Sequence, residues 1–257
     1  MIILIFFVAH WYLSLFFQTF FLHRYAAHRM FDMSPFMERV FYILTFIAQG
    51  SSYLSPRAYG ILHRMHHDHT DTELDPHSPE HDENILKMMW KTGKIYTDIF
   101  WGNVEVDEKY TKNVPDWKIF DRIACATPMR VLWSFVYIAF YYFFAPSPWF
   151  YLLIPFHIIM GPLHGVIVNW FSHKYGYVNF KMDNTSTNLM KLDVFMMGEG
   201  LHNNHHKFPA RANFGIKKFE FDPSYPLIYL MEKVGIIRFR KAITDHKSVS
   251  KKQVELV

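Results

Sequence analysis

The residues with the most chemistry to offer are the 16 histidines, most of which fall in four clusters. These are H-R-Y-A-A-H at 23–28, H-R-M-H-H-D-H at 63–69, N-W-F-S-H at 169–173 and H-N-N-H-H at 202–206. Residues at i, i+3 and i+4 share a helix face, so His63, His66 and His67 are expected to converge on one point. The same spacing predicts convergence of His202, His205 and His206, and it makes Asn169 and His173 an i, i+4 pair. His23 and His28 are five apart, about 140° around an α-helix, which suits either two metal atoms or a site at a frayed helix end. One ion takes about four to six ligands, so nine imidazoles imply two ions. Imidazole suits Fe, Zn, Cu and Ni, and Ca or Mg is disfavoured. Hydrolytic zinc uses a few histidines and a carboxylate base, so nine neutral imidazoles match redox iron that binds O2 better. His10, His69, His77, His81, His157, His164 and His246 are read as surface or core residues. His10, His157 and His164 are costly in lipid unless they face a bundle interior.

The elements that must position these clusters follow from where the charges lie. Residues 1–22 and 131–172 contain no Asp, Glu, Lys or Arg; all 27 Lys and Arg lie in 23–130 or 173–257. Mean hydropathy of −0.02 is therefore an average over two unlike parts. Uncharged apolar stretches of 18 or more residues are transmembrane candidates. Three spans are expected, at about 3–22, 127–145 and 149–169, the last two forming a hairpin broken at Ala145-Pro146-Ser147-Pro148. Pro155 and Pro162 should bend the third. The first is not a cleavable signal peptide, having no basic n-region and no small-residue cleavage site. The fold class is all-α integral membrane protein, one domain over 1–257, with a helical cytosolic cap at 23–126 and 170–257. Positive charge places the cap inside and the turn at 145–148 outside. Shorter apolar stretches at 40–48 and 226–237 are expected to be helices on or under the membrane. Loops are expected at 70–84 and 101–118, and no sheet is predicted.

Composition excludes several classes. Aromatics at 19% exclude disorder, and the single Cys125 excludes a disulfide scaffold, cysteine zinc fingers and Fe–S clusters. A net charge of +4 is too small to argue for nucleic acid. No glycine-rich turn for a flavin or nicotinamide follows a strand, so an oxidative site must take electrons from a separate protein.

Taken together, H-R-Y-A-A-H-R, H-R-M-H-H-D-H-T-D-T-E-L-D-P-H, N-W-F-S-H and G-E-G-L-H-N-N-H-H-K-F-P resemble the histidine boxes of the membrane fatty acid desaturases. D-P-H at 75–77 and E-G-L-H-N-N-H-H at 199–206 resemble the Δ9 acyl-CoA (stearoyl-CoA) branch in particular. The resemblance covers about residues 5–240. It implies an oxidoreductase with a di-iron centre, O2 as co-substrate and a bent apolar tunnel for a fatty acyl substrate drawn from acyl-CoA or membrane lipid. It implies His23, His28, His63, His66, His67, His173, His202, His205 and His206 as ligands, with Asn169 reaching one iron through water. The implied product is a cis-Δ9 alkene. With no heme domain appended, the implied donor is an external ferredoxin, rubredoxin or cytochrome. Asp71, Asp75 and Glu199 are candidates to orient ligand imidazoles.

Two features depart from the family pattern. The family usually has four spans, whereas one precedes the first box here, which implies an outer N-terminus. Trp170 follows Asn169 where a smaller residue is expected. The 14 Lys and Arg against 8 Asp and Glu in 173–257 suit a phosphate headgroup, an acidic donor or anionic lipid. The uncharged N-terminus and the chain's compact size suggest a bacterial inner membrane. The rivals are a hydroxylase or ketolase with the same site, and a non-enzymatic metal transporter or sensor. Transporters place ligands at the midplane, whereas these clusters lie at or beyond span ends.

Overall fold

A computed structural model describes residues 1–240. His246 and the end of the expected cap, 241–257, lie outside the described residues. Helix dominates. Helix α1 (Ile2–Phe17) continues without a break into a π-helical segment, Gln18–Ala27. Together they form the one described helix long and apolar enough to cross a membrane, and up to three cross if each of two bent helix pairs counts as one span. At 1.5 Å per residue its 26 residues reach about 39 Å, more than a hydrocarbon core of about 30 Å.

Helix α2 (Pro35–Gln49) starts where Ser34 Oγ accepts from Met37 N–H, with proline in the first turn. Helix α3 (Pro56–His69) repeats the device with Ser55. Helix α4 (Ile85–Trp101) is capped by Asn84 and ended by Gly102 at φ +74°, a left-handed position that favours glycine. Short helices α5 (Glu108–Thr111) and α6 (Lys118–Ala124) lead to α7 (Thr127–Phe144). The hairpin's first arm thus matches its expected bounds. The second is more broken than expected: a 3-10 turn (Pro148–Leu153), α8 (Ile154–Ile158), α9 (Met160–Val166) and a π turn (Ile167–Phe171). Its halves meet at 69°. Pro155 and Pro162 each lack a backbone N–H, and Gly161 N–H donates to Ser52 Oγ instead. Gly161 allows this approach, since a Cβ there would lie 3.1 Å from Ser52 O. Helices α10 (His202–Lys207) and α11 (Ser224–Lys233) complete the cap.

One correction concerns sheet. Strands β1 (Phe31–Met33) and β2 (Ile237–Phe239) pair antiparallel, with Phe31 opposite Phe239 and Asp32 opposite Arg238. Three-residue strands are too short to show alternation in a sequence. Arg240 closes the pair from its guanidinium to Asp32, 2.8 Å. The core sits where α1 meets the cap: Phe20, Phe21, Tyr25, Phe31, Phe41 and Tyr42 pack with Leu201 and Phe214. Many apolar residues of α7, among them Leu132, Phe135, Tyr142 and Phe143, are instead exposed, while Tyr137 and Tyr141 are buried.

Candidate metal centre

The π segment is what assembles the first box. Its i→i+5 bonding, seen as His28 N–H to His23 O at 3.1 Å, brings residues five apart onto one face. His23 and His28 therefore join the same cluster. Helix α3 is held against this segment by Arg64, which donates to Ala27 O (2.6 Å) and Ala26 O (3.3 Å), carbonyls freed at the helix end.

The nine imidazoles fall into two groups: His23, His28, His63, His67 and His205, and His66, His173, His202 and His206. Each H-x-x-H-H triplet is thus divided, which corrects the expectation that it converges on one point. The i, i+4 pairs His63/His67 and His202/His206 stay together. His66 and His205 point across to the other group, because neighbours on a helix are about 100° apart. The two helices therefore exchange one histidine each.

Within each group the ring nitrogens converge. Nε2 of His205 lies 2.9 Å from that of His23 and 3.0 Å from that of His67, and His28 and His63 meet at 2.9 Å. In the other group, the Nε2 atoms of His202 and His206 are 2.9 Å apart, His173 and His202 3.1 Å, and His66 and His206 3.3 Å. One ring nitrogen carries at most one proton or one lone pair, so one facing two others does not make an ordinary hydrogen-bond chain. Ligands about 2.1 Å from a metal stand about 3.0 Å apart when cis, and these separations fit such edges. The donor set therefore fits a pair of imidazole-bound transition ions.

Carboxylates hold the outer nitrogens of three histidines. His23 Nδ1 lies 2.6 Å from Glu199, His66 Nδ1 2.9 Å from Asp75, and His173 Nδ1 3.5 Å from Asp71. Of the three carboxylates, Asp75 is hydrogen-bonded to its ring, and His173 Nδ1 also meets Thr185 Oγ1 at 3.2 Å. Burial opposes ionisation of Glu199, yet His23 and Arg24 hold its carboxyl down to about 2. Burial likewise opposes ionisation of Asp71, but His173 and Thr185 hold it below the ordinary carboxylate range.

Burial, then the neighbouring imidazoles, push His28, His63, His67, His202, His205 and His206 well below the ordinary histidine value of 6.5, and His66 moves the same way. Each is kept neutral, the form that binds metal. The unfolded chain takes up these protons near 6.5, the folded chain only at lower pH. Stability is therefore full above 6.5 and falls as pH drops below it, by about 1.4 kcal/mol per pH unit for each histidine. The metal-free protein is expected to lose its cap structure sharply just below that pH, followed by circular dichroism, and iron is expected to shift the loss to lower pH. A metal-free cap that persists until carboxylates titrate contradicts this.

Three features escaped sequence reading. Arg24, fully buried, donates to Glu199 (3.1 Å), Asp222 (2.8 Å) and Ala212 O (2.9 Å), with its guanidinium 3.8 Å from the Phe214 ring centre. It ties the first box to the last, and its only sequence signal is a charge at the end of an uncharged span. Asn203 and Asn204 are scaffolding: Asn203 donates to Phe180 O and Ser186 O, and Asn204 to Phe214 O and Glu220. His77, read as a bland residue, is buried with its ring stacked 4.2 Å from His66 and neither nitrogen bonded.

A cavity of about 530 Å³ opens beside both groups. Its polar wall includes His23, His63, His77, His202, Glu199 and Asn169; Leu54, Leu62, Leu86, Met89, Trp90 and Val168 supply apolar surface. Asn169 is thus on the cavity wall, while His173 joins the second group. Leu86 and Trp90 are each 80% exposed, which puts the cavity's mouth at α4.

The geometry defines a histidine-rich protein whose clustered imidazoles are placed to hold metal, with an apolar pocket against them. Residues 1–219 match the fatty acid desaturase family, and the chain belongs to that family. The Delta-9 desaturase-like 5 protein of Arabidopsis thaliana is 30% identical over 238 residues, covering 85% of this chain and 70% of the relative. The acyl-CoA 5-desaturase AL21 of Anemone leveillei is 29% identical over 222 residues, covering 83% and 64%. The sn-1 stearoyl-lipid 9-desaturase of Synechocystis sp. is 28% identical over 231 residues, covering 84% and 64%.

Proposed function

We propose that this single-domain protein is a di-iron, O2-dependent desaturase that turns a saturated fatty acyl chain into its cis-Δ9 monoene. Its substrate is an acyl-CoA or acyl-lipid, and its electrons come from an external ferredoxin, rubredoxin or cytochrome. The observation that carries this reading is the division of nine imidazoles into groups of five and four at the wall of an apolar cavity.

All nine histidines serve as ligands in this reading. Two irons, when bound, supply the redox chemistry that lets O2 take two hydrogens from adjacent CH2 groups. The protein's part is placement. Glu199, Asp75 and Asp71 fix the rings of His23, His66 and His173. An alkyl chain offers no hydrogen bonds, so the cavity's shape must set which carbons face the metal wall. Asn169, on that wall, would reach one iron through a water. Helix α1, α7 and the bent pair 148–171 are taken as three spans, with the Lys- and Arg-bearing cap on the cytoplasmic side.

The printed names of the relatives include both 5- and 9-desaturases and both CoA and lipid substrates, so the product decides. Expression in a host lacking monounsaturated lipid, with double bonds located by mass spectrometry of disulfide adducts, is expected to give cis-9 monoenes. A double bond elsewhere overturns the Δ9 assignment. A hydroxylated chain with no double bond overturns desaturation in favour of oxygen insertion.

A further inference from the structure

A polar column runs up α1 from the cavity, and neither the metal groups nor the cavity accounts for it. His10, Ser14 and Gln18 stand four residues apart and so stack on one face over about 12 Å. All are more than nine-tenths buried; Ser14 Oγ and Gln18 Oε1 have no hydrogen-bond partner, and His10, its Nε2 also unpaired, has the Ala48 backbone beside its ring. On α9, which packs against α1, His164 is fully buried with neither ring nitrogen bonded, its ring edge-on to Trp11 at 4.5 Å. At the far end His10 Nδ1 meets His157 Nδ1 at 2.6 Å, and His157 Nε2 lies 2.9 Å from the Tyr141 hydroxyl. At the near end Gln18 lines the cavity with His23 and Glu199.

Buried polar groups left unpaired destabilise a fold, and several along one bundle seam do so together unless something bonds them. Water is the small partner that can donate to and accept from all of them. The cavity end of the column leads to the metal wall through Gln18, and Thr19 donates to Glu199 there.

We propose that this column holds a file of ordered waters and hands protons to the metal centre. The second part rests on the desaturase reading. Each turnover then takes O2, two hydrogens from the acyl chain, two electrons from the external carrier protein and two protons from solvent, and releases the alkene and two waters. The His10–His157–Tyr141 chain suits proton passage because its bonds can reverse. If His10 Nδ1–H donates to His157, then His157 Nε2–H donates to Tyr141 and His10 Nε2 accepts from water. In the reverse arrangement Tyr141 donates, and His10 Nε2–H donates to water. A proton entering at one end thus emerges at the other.

The test is radiolytic footprinting of the full chain in nanodiscs with H2(18)O, in which radicals formed at bound water oxidise adjacent side chains. Trp11 and Met160, which pack together and are buried, are the reporters; exposed Trp90 is the control. Label is expected on both reporters, and loss of it in a Ser14→Val/His164→Leu chain, with Ser14→Val alone as the milder variant. Labelled Trp90 with unlabelled Trp11 and Met160 overturns the hydrated column. For proton supply, the variants are expected to divert a larger fraction of donated electrons to peroxide than the parent does. An unchanged fraction in a variant that has lost its label overturns proton supply. A parent that makes no monoene overturns the desaturase reading and proton supply with it, while the footprint still decides hydration.

Discussion

A His66→Ala chain is expected to form no monoene in a host where the parent accumulates it. His66 is the crossing histidine of α3: its Nε2 faces that of His206 at 3.3 Å, while its Nδ1 is held by Asp75. Truncation leaves three imidazoles in the second group and removes the ring that Asp75, itself buried, holds in place. The backbone N–H groups of Asp71 and His77 still bond Asp75, so the loop keeps two of its ties. Asp75→Asn keeps the shape but weakens the hold on the ring, and is expected to reduce metal affinity by about 10–100-fold. His69→Ala is the control on the same helix. His69 belongs to neither group and meets the Tyr110 hydroxyl at 3.1 Å, so near-parental monoene is expected. Gas chromatography of total fatty acids reads the two alanine chains, iron titration reads Asp75→Asn, and equal monoene from His66→Ala and the parent refutes the site.

Arg24→Leu is expected to destabilise the whole cap. The guanidinium is buried and bridges Glu199 and Asp222, both buried themselves. Removing one partner of a buried ion pair typically loses about 3–5 kcal/mol, because the remaining charge is left without compensation. That is a large part of a total stability of about 5–15 kcal/mol. Asp222 also accepts from Phe214 N–H and Ser224 N–H, so its loop is expected to loosen as well. Gly198, at φ +94° with its Cβ position 2.2 Å from Asp222, leaves this junction no room to shift. Arg24→Lys keeps a charge but loses the planar fork, and is expected to fall between. Denaturation midpoints in detergent measure the series. A midpoint for Arg24→Leu within experimental error of the parent contradicts the structural role.

Charge and histidine spacing made much of this legible. Uncharged runs marked the start of α1 and most of α7, although α1 passes into its π segment at Gln18 and α7 begins at Thr127, ahead of Arg130. The i, i+4 pairs His63/His67 and His202/His206 stayed together as helix geometry requires. What was illegible depended on departures from the regular α-helix. A π segment has no side-chain period visible beside 3.6, so the joining of His23 with His28 could not be read. The crossing of His66 and His205 depends on how α3 and α10 face each other, which spacing within one helix does not contain. The 69° break in the third apolar stretch needed the Ser52–Gly161 contact as well as the prolines. Arg24 owes its surroundings to residues far along the chain, and His77 owes its stacking to the turn that folds the loop back onto α3.

The central claim is that two irons are held, one by each histidine group. Iron counted per chain in purified protein, with Mössbauer spectra of a (57)Fe-loaded sample, tests it most directly. The account predicts two irons per chain in the parent, and loss of the four-histidine iron first when His206 is replaced by alanine. One iron per chain in a fully loaded parent, or tightly held zinc in a protein inert to O2 and reductant, would contradict it.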